Sequence, residues 1–239
     1  MKRYLTICLL LLNLRVVGQE ESKPGLSHSS QTGIYESPAQ LSSQIIKGKT
    51  TDIEKVTAIF HWIAVNISYY RPYVNQGRRK KNPVNPQDDP SDNSSLPSLT
   101  ERIASKVIKD RKGVCEGYAR LFTSLCDHAG IQSAIITGYA RTKSEGHGSK
   151  FRSNHTWNAV NVDGKWYLLD VTWASGFLIM PSGEFVRQYD PYYFLADPAQ
   201  FIQHHYPDDL RWSLLENPPV IPEFRYTPFR QRSFSKYSI

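Results

Sequence analysis

Cys115, His155 and Asp170 are the residues of this chain whose types and surroundings could together carry out covalent chemistry. Cys115 stands in the run Gly113-Val114-Cys115-Glu116-Gly117-Tyr118-Ala119-Arg120-Leu121-Phe122-Thr123-Ser124-Leu125-Cys126-Asp127-His128-Ala129-Gly130. A glycine opens this run, Ala119, Phe122, Leu125, Cys126 and Ala129 recur at helical spacing, and Gly130 closes it. Cys115 therefore falls in the first turn of a helix with one buried face. Unpaired backbone N–H groups and the positive end of the helix dipole favour a thiolate there. Alone, a cysteine in this position is more often a small packed residue.

The downstream pattern supplies a base. Thr156 to Val162 and Trp166 to Trp173 read as two strands joined at Asp163-Gly164, a strong hairpin signal. With those two residues as the loop, Val162 faces Lys165, Trp157 faces Asp170 and His155 faces Thr172. His155 and Asp170 then become diagonal neighbours on one face, about 7 Å apart at Cβ, and a one-residue slip would separate them. A nucleophilic thiol needs a base within hydrogen-bond reach and a third group to orient that base. His61 and His128 lie in helical patterns and His147 in a Gly-rich loop, so none of them competes with His155.

The positioning elements follow in order. Residues 1–18 read as a secretory signal: Lys2 and Arg3, the apolar run Leu5 to Leu12, and Val16-Val17-Gly18 before Gln19. That run is too short to anchor in a bilayer, and no transmembrane segment is expected after its removal. Residues 19–36 form a polar leader, 37–224 the domain and 225–239 a basic tail. Ser37-Pro38 starts a helix with Leu41 and Ile45 inward. Thr51-Asp52-Ile53-Glu54 is a capping box, followed by Ile53, Val56, Phe60 and Ile63 at helical spacing. Residues 71–97 read as a long surface loop, and Ser98-Leu99-Thr100-Glu101 is a second capping box ahead of Ile103, Val107 and Ile108. After Gly130 come β-branched residues to Tyr139, the hairpin above, a second hairpin around Pro181-Ser182-Gly183 and a short helix capped by Asp197. Helices followed by antiparallel strands argue an α+β fold.

Composition bounds the remainder. The 239 residues, 40% hydrophobic, suffice for one sizeable core. Losing Lys2, Arg3 and Arg15 would take the net charge from +7 to +4, too little and too scattered for a nucleic-acid partner. Cys8 would leave with the signal. Cys115 and Cys126, roughly 16 Å apart along one helix, cannot bridge, and Cys126 is expected to pack. No CxxC is present, and the rings of His204 and His205 are expected to point apart, so no metal site is foreseen. Of the sequons at Asn66, Asn93 and Asn154, only Asn93 suits a glycan.

Three stretches resemble the motifs of the transglutaminase-like superfamily: Gly113 to Ala119, His155-Thr156-Trp157-Asn158-Ala159-Val160, and Trp166-Tyr167-Leu168-Leu169-Asp170-Val171-Thr172-Trp173. Phe60 to Tyr69 is similar to the segment that leads into the core of such domains. Tyr193-Phe194-Leu195, Phe201-Ile202, His205-Tyr206-Pro207 and Trp212 to Leu215 look like the kyphoscoliosis-peptidase type. The resemblance implies a papain-like fold with Cys115 as nucleophile, His155 as base and then acid, and Asp170 orienting the imidazole. The backbone N–H of Cys115 is the natural first oxyanion donor, with Tyr69 or Tyr70 as candidates for a second. Glu116, Tyr118, Trp157 and Trp173 are candidates to line the cleft. No cofactor is implied. The expected activity is that of an exported, periplasmic or extracellular thiol hydrolase acting on peptide or isopeptide-type amides of a protein or peptide substrate. Alternatives are a cross-linking transglutaminase, a peptide N-glycanase-like amidase, and a non-catalytic binding module on the same fold.

Overall fold

Local capping signals set where each helix begins. In the computed structural model, which describes residues 37–70, 97–141 and 151–226, α1 (Pro38–Ile45) starts at Ser37, whose hydroxyl accepts the Gln40 N–H. The reciprocal Thr51–Glu54 capping box opens α2 (Asp52–Asn66). Val56, Phe60 and Ile63 are wholly buried along it, but Ile53, expected to face inward, is 38% exposed, because the apolar stripe is covered only from Val56 onward. Ser98 caps α3 (Leu99–Asp110). The second capping box is only half made: the Glu101 carboxylate accepts from Ser124 Oγ at 2.6 Å and sits 3.2 Å from His128 Nε2, tying α3 to the next helix instead.

At Arg111 the backbone turns left-handed (φ 52°) to end α3. The next two residues, β2 (Lys112–Gly113), pair in parallel with β1 (Ser68–Tyr69), which follows α2. This short ladder holds the chain just ahead of α4 (Cys115–His128). Along α4, Leu121, Phe122, Leu125 and Cys126 are wholly buried; each of the large side chains contributes about 1.5–3 kcal/mol by leaving water. Gly130, at φ 75°, supplies the left-handed turn that ends this segment.

The second half is mainly sheet. Strands β3 (Ser133–Ala140), β4 (His155–Val162) and β5 (Lys165–Leu169) are followed by the hairpin β6 (Gly176–Ile179) with β7 (Glu184–Arg187), and then by β8 (His205–Pro207). The main sheet is antiparallel in the order β5-β4-β3-β8, and α4 packs on β3 and β4 while also meeting α1, α2 and α3. This is the α+β arrangement the element order implies. Asp163 (φ 51°) and Gly164 (φ 82°) form the tight turn, and the register runs as expected from Val162↔Lys165 to Asn158↔Leu169.

Beyond Leu169 the expected strand does not continue. Asp170 becomes the N-cap of α5 (Val171–Ser175), its Oδ1 accepting the Trp173 N–H at 3.1 Å. The Asp170 N–H donates to the Tyr193 carbonyl rather than joining a ladder. The pairs Trp157–Asp170 and His155–Thr172 are therefore not formed; capping chemistry at Asp170 overrides the strand propensity of the residues after it. Further on, α6 (Pro198–Phe201) is capped by Asp197, and α7 (Ile221–Tyr226) crosses the expected domain end at 224, burying Phe224 with Tyr139, Ile202 and Tyr206. The expected signal and leader, residues 71–96 of the expected loop, and the tail from 227 lie outside the described residues.

Candidate active site

The nucleophile candidate owes its setting to the first turn of α4. Cys115 is the first residue of that helix, half-buried, and the N-cap Val114 has no side-chain group to bond the first-turn N–H groups. The base candidate stands at the head of β4. The Cys115 thiol is hydrogen-bonded to the His155 side chain and takes the Thr156 backbone N–H. Register between helix and strand is held by Asn158, whose Nδ2 donates to Ala119 O (3.1 Å), Thr123 Oγ1 (3.1 Å) and Ala134 O (3.2 Å). That residue lies in one of the motif stretches, but its anchoring role became visible only with the helix packed on the sheet.

His155 Nε2 lies 2.6 Å from Asp170 Oδ2, which leaves Nδ1 for the thiol. Asp170 is fully buried and its carboxylate has three donors: His155 Nε2, the Trp173 N–H and, at 2.9 Å, His205 Nε2. His205 was not foreseen as part of the site. It lies on a three-residue strand that ends in proline, too short for any periodic signal.

Burial and partners set the protonation. Burial pushes the Asp170 carboxyl up, but the His155 charge and the hydrogen bonds from both imidazoles outweigh it and hold the group well below the usual carboxylate range. For His155, burial works against the charged form, yet Asp170 and then the thiol raise it to about 10. Burial would likewise raise the Cys115 thiol; its hydrogen bond and attraction to His155 reverse the sign and bring it below its ordinary value. His205 goes the other way: burial lowers it to about 4 despite Asp170. At neutral pH the arrangement holds an imidazolium at His155, a carboxylate at Asp170 and a neutral imidazole at His205, with the Cys115 thiol shifted toward its thiolate form. Cys126 is held as the inert thiol by burial.

A direct consequence is testable. Because His155 holds the folded Cys115 thiol below its ordinary value, its alkylation by iodoacetamide should fall less steeply from pH 8 to 6.5 than that of a free cysteine, which loses about 30-fold in rate. Peptide mapping by mass spectrometry should place the label on Cys115 and not on Cys126. A rate that falls tenfold per pH unit from 8 downward would show an unperturbed thiol.

Trp173, half-buried, is the cleft-lining candidate brought to the centre, its ring 5.5 Å from that of His155. Trp157 and Tyr118, expected to line the cleft, are buried instead. Trp157 is 1% exposed and stacks behind His155 at 6.1 Å. Tyr118 is wholly buried with its hydroxyl donating to Ile67 O at 2.8 Å, because it occupies the core-facing side of α4. Glu116 is exposed and paired with Arg120 at 2.9 Å. Of the oxyanion candidates, Tyr69 is half-buried with its ring 6.4 Å from that of Tyr118, whereas Tyr70 is 39% exposed under Lys112.

The expectation that the His204 and His205 rings diverge is overturned: their Nδ1 atoms are 2.9 Å apart. His204 precedes β8 and His205 opens it, so alternation along one strand does not separate them. Among the described residues, His155, Asp170 and His205 are the group with metal-ligand types, one ligand atom from each lying within 4.8 Å of the others. Those same nitrogens are spaced as hydrogen-bond donors on one carboxylate oxygen, and carry protons where an ion requires lone pairs.

A helix bearing a cysteine at its start, packed on an antiparallel sheet whose strand β4 carries the histidine and whose strand β5 ends at the aspartate, is a papain-like core. Residues 39–171 match the family model of the transglutaminase-like superfamily, and the chain belongs to that superfamily. Kyphoscoliosis peptidase of Mus musculus is 30% identical over 208 residues, covering 86% of this chain and 28% of that protein. Hillarin of Drosophila melanogaster is 30% identical over 209 residues, covering 82% of this chain and 23% of that protein. The chain thus spans about a quarter of the length of these relatives. A solved structure described as a TGase shares 17% identity over 66% of this chain and 36% of its own, with a TM-score of 0.35. Among the described residues, no helix is long and apolar enough to cross a membrane.

Proposed function

We propose that this chain is a thiol hydrolase acting on peptide or isopeptide-type amides through a thioester. The observation that carries the reading is the continuous hydrogen-bonded line from the Cys115 thiol through His155 to Asp170 at the start of α4. Relatives named as a peptidase support a protein substrate. In this reading Cys115 Sγ forms a bond to the amide carbonyl carbon. His155 passes its proton to the departing nitrogen as the C–N bond breaks. Water then attacks the thioester, His155 takes its proton, and the acid leaves as the thiol is restored. The Cys115 N–H faces the developing oxyanion, and Tyr69 or Tyr70 is a candidate for the second donor. A transglutaminase differs only in that an amine replaces water at the thioester. The proposal includes export through residues 1–18, with a secreted form beginning at Gln19 on N-terminal sequencing as its expected mark.

The test incubates the purified protein, and a Cys115→Ala control, with casein and a labelled primary amine, followed by mass spectrometry. Shorter casein fragments made only by the parent protein are the expected result. Amine incorporated into casein would move the assignment to transamidation. Neither product, together with Cys115 alkylating as an ordinary thiol, would remove the enzymatic reading in favour of a binding module.

A further inference from the structure

Asp170 Oδ2 serves two imidazoles, and the second lies outside the cysteine–histidine–aspartate line. His205 Nε2 is 2.9 Å from that oxygen, and His205 is wholly buried. Its ring stacks on Phe201 at 4.2 Å and 19°, meets Trp157 edge-on at 5.0 Å, and lies 4.5 Å from Trp173. An aromatic box therefore fixes the plane of the ring. Its other nitrogen, Nδ1, faces His204 Nδ1 at 2.9 Å.

These contacts determine where the protons sit. A nitrogen bonded to an ionised carboxylate oxygen must carry hydrogen, so His205 is protonated at Nε2. Adding a second proton would place a buried cation beside another imidazole, so Nδ1 stays bare and accepts. The proton between the two rings then belongs to His204 Nδ1.

We propose that His205 is a positioning residue of this site, its Nε2–H holding the Asp170 carboxylate in the plane that aligns His155 on Cys115. The inference rests on the hydrolase reading above and extends it. With Oδ1 held by the Trp173 N–H and Oδ2 by His205, the carboxylate is restrained at both oxygens before His155 bonds it. Without His205, one oxygen loses its fixed donor, the side chain gains freedom to rotate, and the imidazolium is held less firmly against the thiolate. The other titratable groups facing this line are Cys115 and Tyr118 from α4, His204 ahead of β8, and Tyr192 and Tyr193 from the 3-10 turn Pro191–Tyr193.

The experiment compares full-length parent, His205→Phe and His205→Gln by the pH dependence of Cys115 alkylation with iodoacetamide, with circular dichroism and thermal midpoints recorded alongside. Phenylalanine keeps a ring in the aromatic box and removes the donor; glutamine restores an N–H near the Nε2 position. The acid limb of the alkylation profile is expected to rise by about one pH unit in His205→Phe, a tenfold fall in rate at pH 6, and to return to within about twofold of the parent in His205→Gln. An unchanged limb in folded His205→Phe overturns the proposal. Nitrogen-15 NMR of the parent provides a readout independent of whether either variant folds: His205 protonated at Nε2 alone is expected, and protonation at Nδ1 alone overturns the assignment. A parent protein that neither cleaves casein nor incorporates the amine and whose thiol shows no depressed acid limb would instead overturn the hydrolase reading, so the two failures are separable.

Discussion

Asparagine at position 170 is expected to lower turnover about 10⁴-fold while leaving the protein folded, a magnitude taken from the equivalent change in serine-nucleophile triads. Asp170 accepts from His155 and His205 at one oxygen and from the Trp173 N–H at the other. An amide has one acceptor and one donor in those places. Oriented to accept from the histidines, it opposes its NH₂ to the Trp173 N–H and uncaps α5; turned over, it confronts both imidazoles with a donor. In either orientation the charge that raises His155 is gone, so the imidazolium is no longer favoured and the Cys115 thiol moves up. Asp170→Asn should therefore be slow in casein hydrolysis and should also alkylate slowly below pH 8. Loss of a buried hydrogen bond adds about 1–3 kcal/mol of destabilisation, to be read by urea unfolding. A folded Asp170→Asn protein within tenfold of parent activity would show that Asp170 does not orient the base.

Alanine at position 138 has the largest expected effect on the scaffold. Gly138 sits on β3 opposite His155 on one side and Pro207 on the other. A Cβ there would lie 2.3 Å from Tyr206 O, 2.5 Å from Trp157 Cη2 and 2.8 Å from Pro207 Cα. Two of these are backbone atoms of β8, and the third belongs to a buried indole that cannot swing aside. Strand β8 must separate from β3, carrying His205 away from Asp170, or Trp157 must push on His155. A destabilisation of about 3 kcal/mol or more is expected, at the upper end of overpacking costs, with loss of the low-pH reactivity of Cys115 in whatever remains folded. Gly138→Ala unfolding in urea within 1 kcal/mol of the parent would show that β8 can yield without cost.

Signals carried by neighbouring residues were readable before any folding. The helix beginning at Cys115, the capping box at Thr51, the proline-led start at Pro38 and the Asp163-Gly164 turn each depend on backbone chemistry within four residues. The hairpin register followed from that turn and was correct for its five pairs. It was overextended at Asp170, where a cap competed with a strand and the winner depended on a carbonyl from Tyr193, 23 residues away. His155 and Asp170 meet all the same, but through an aspartate leaving the sheet rather than one paired within it.

Which face of each element became interior could not be judged as well. Tyr118 and Trp157 carry polar atoms and flank the reactive residues, which made them plausible cleft walls; packing on α2 and the sheet put them inside. His205 shows the limit most clearly. Its partners, Asp170 and Phe201, come from separate segments, and its role exists only because β8 returns to the edge of β3 beside a glycine. A nucleophile, a base and the helix that activates the first were thus written in local pattern, since capping, dipole and turn geometry act over a few residues. The proton order around Asp170, and with it the charge on each imidazole, belongs to the assembled core, because desolvation and long-range hydrogen bonds exist only once distant segments have closed around the carboxylate.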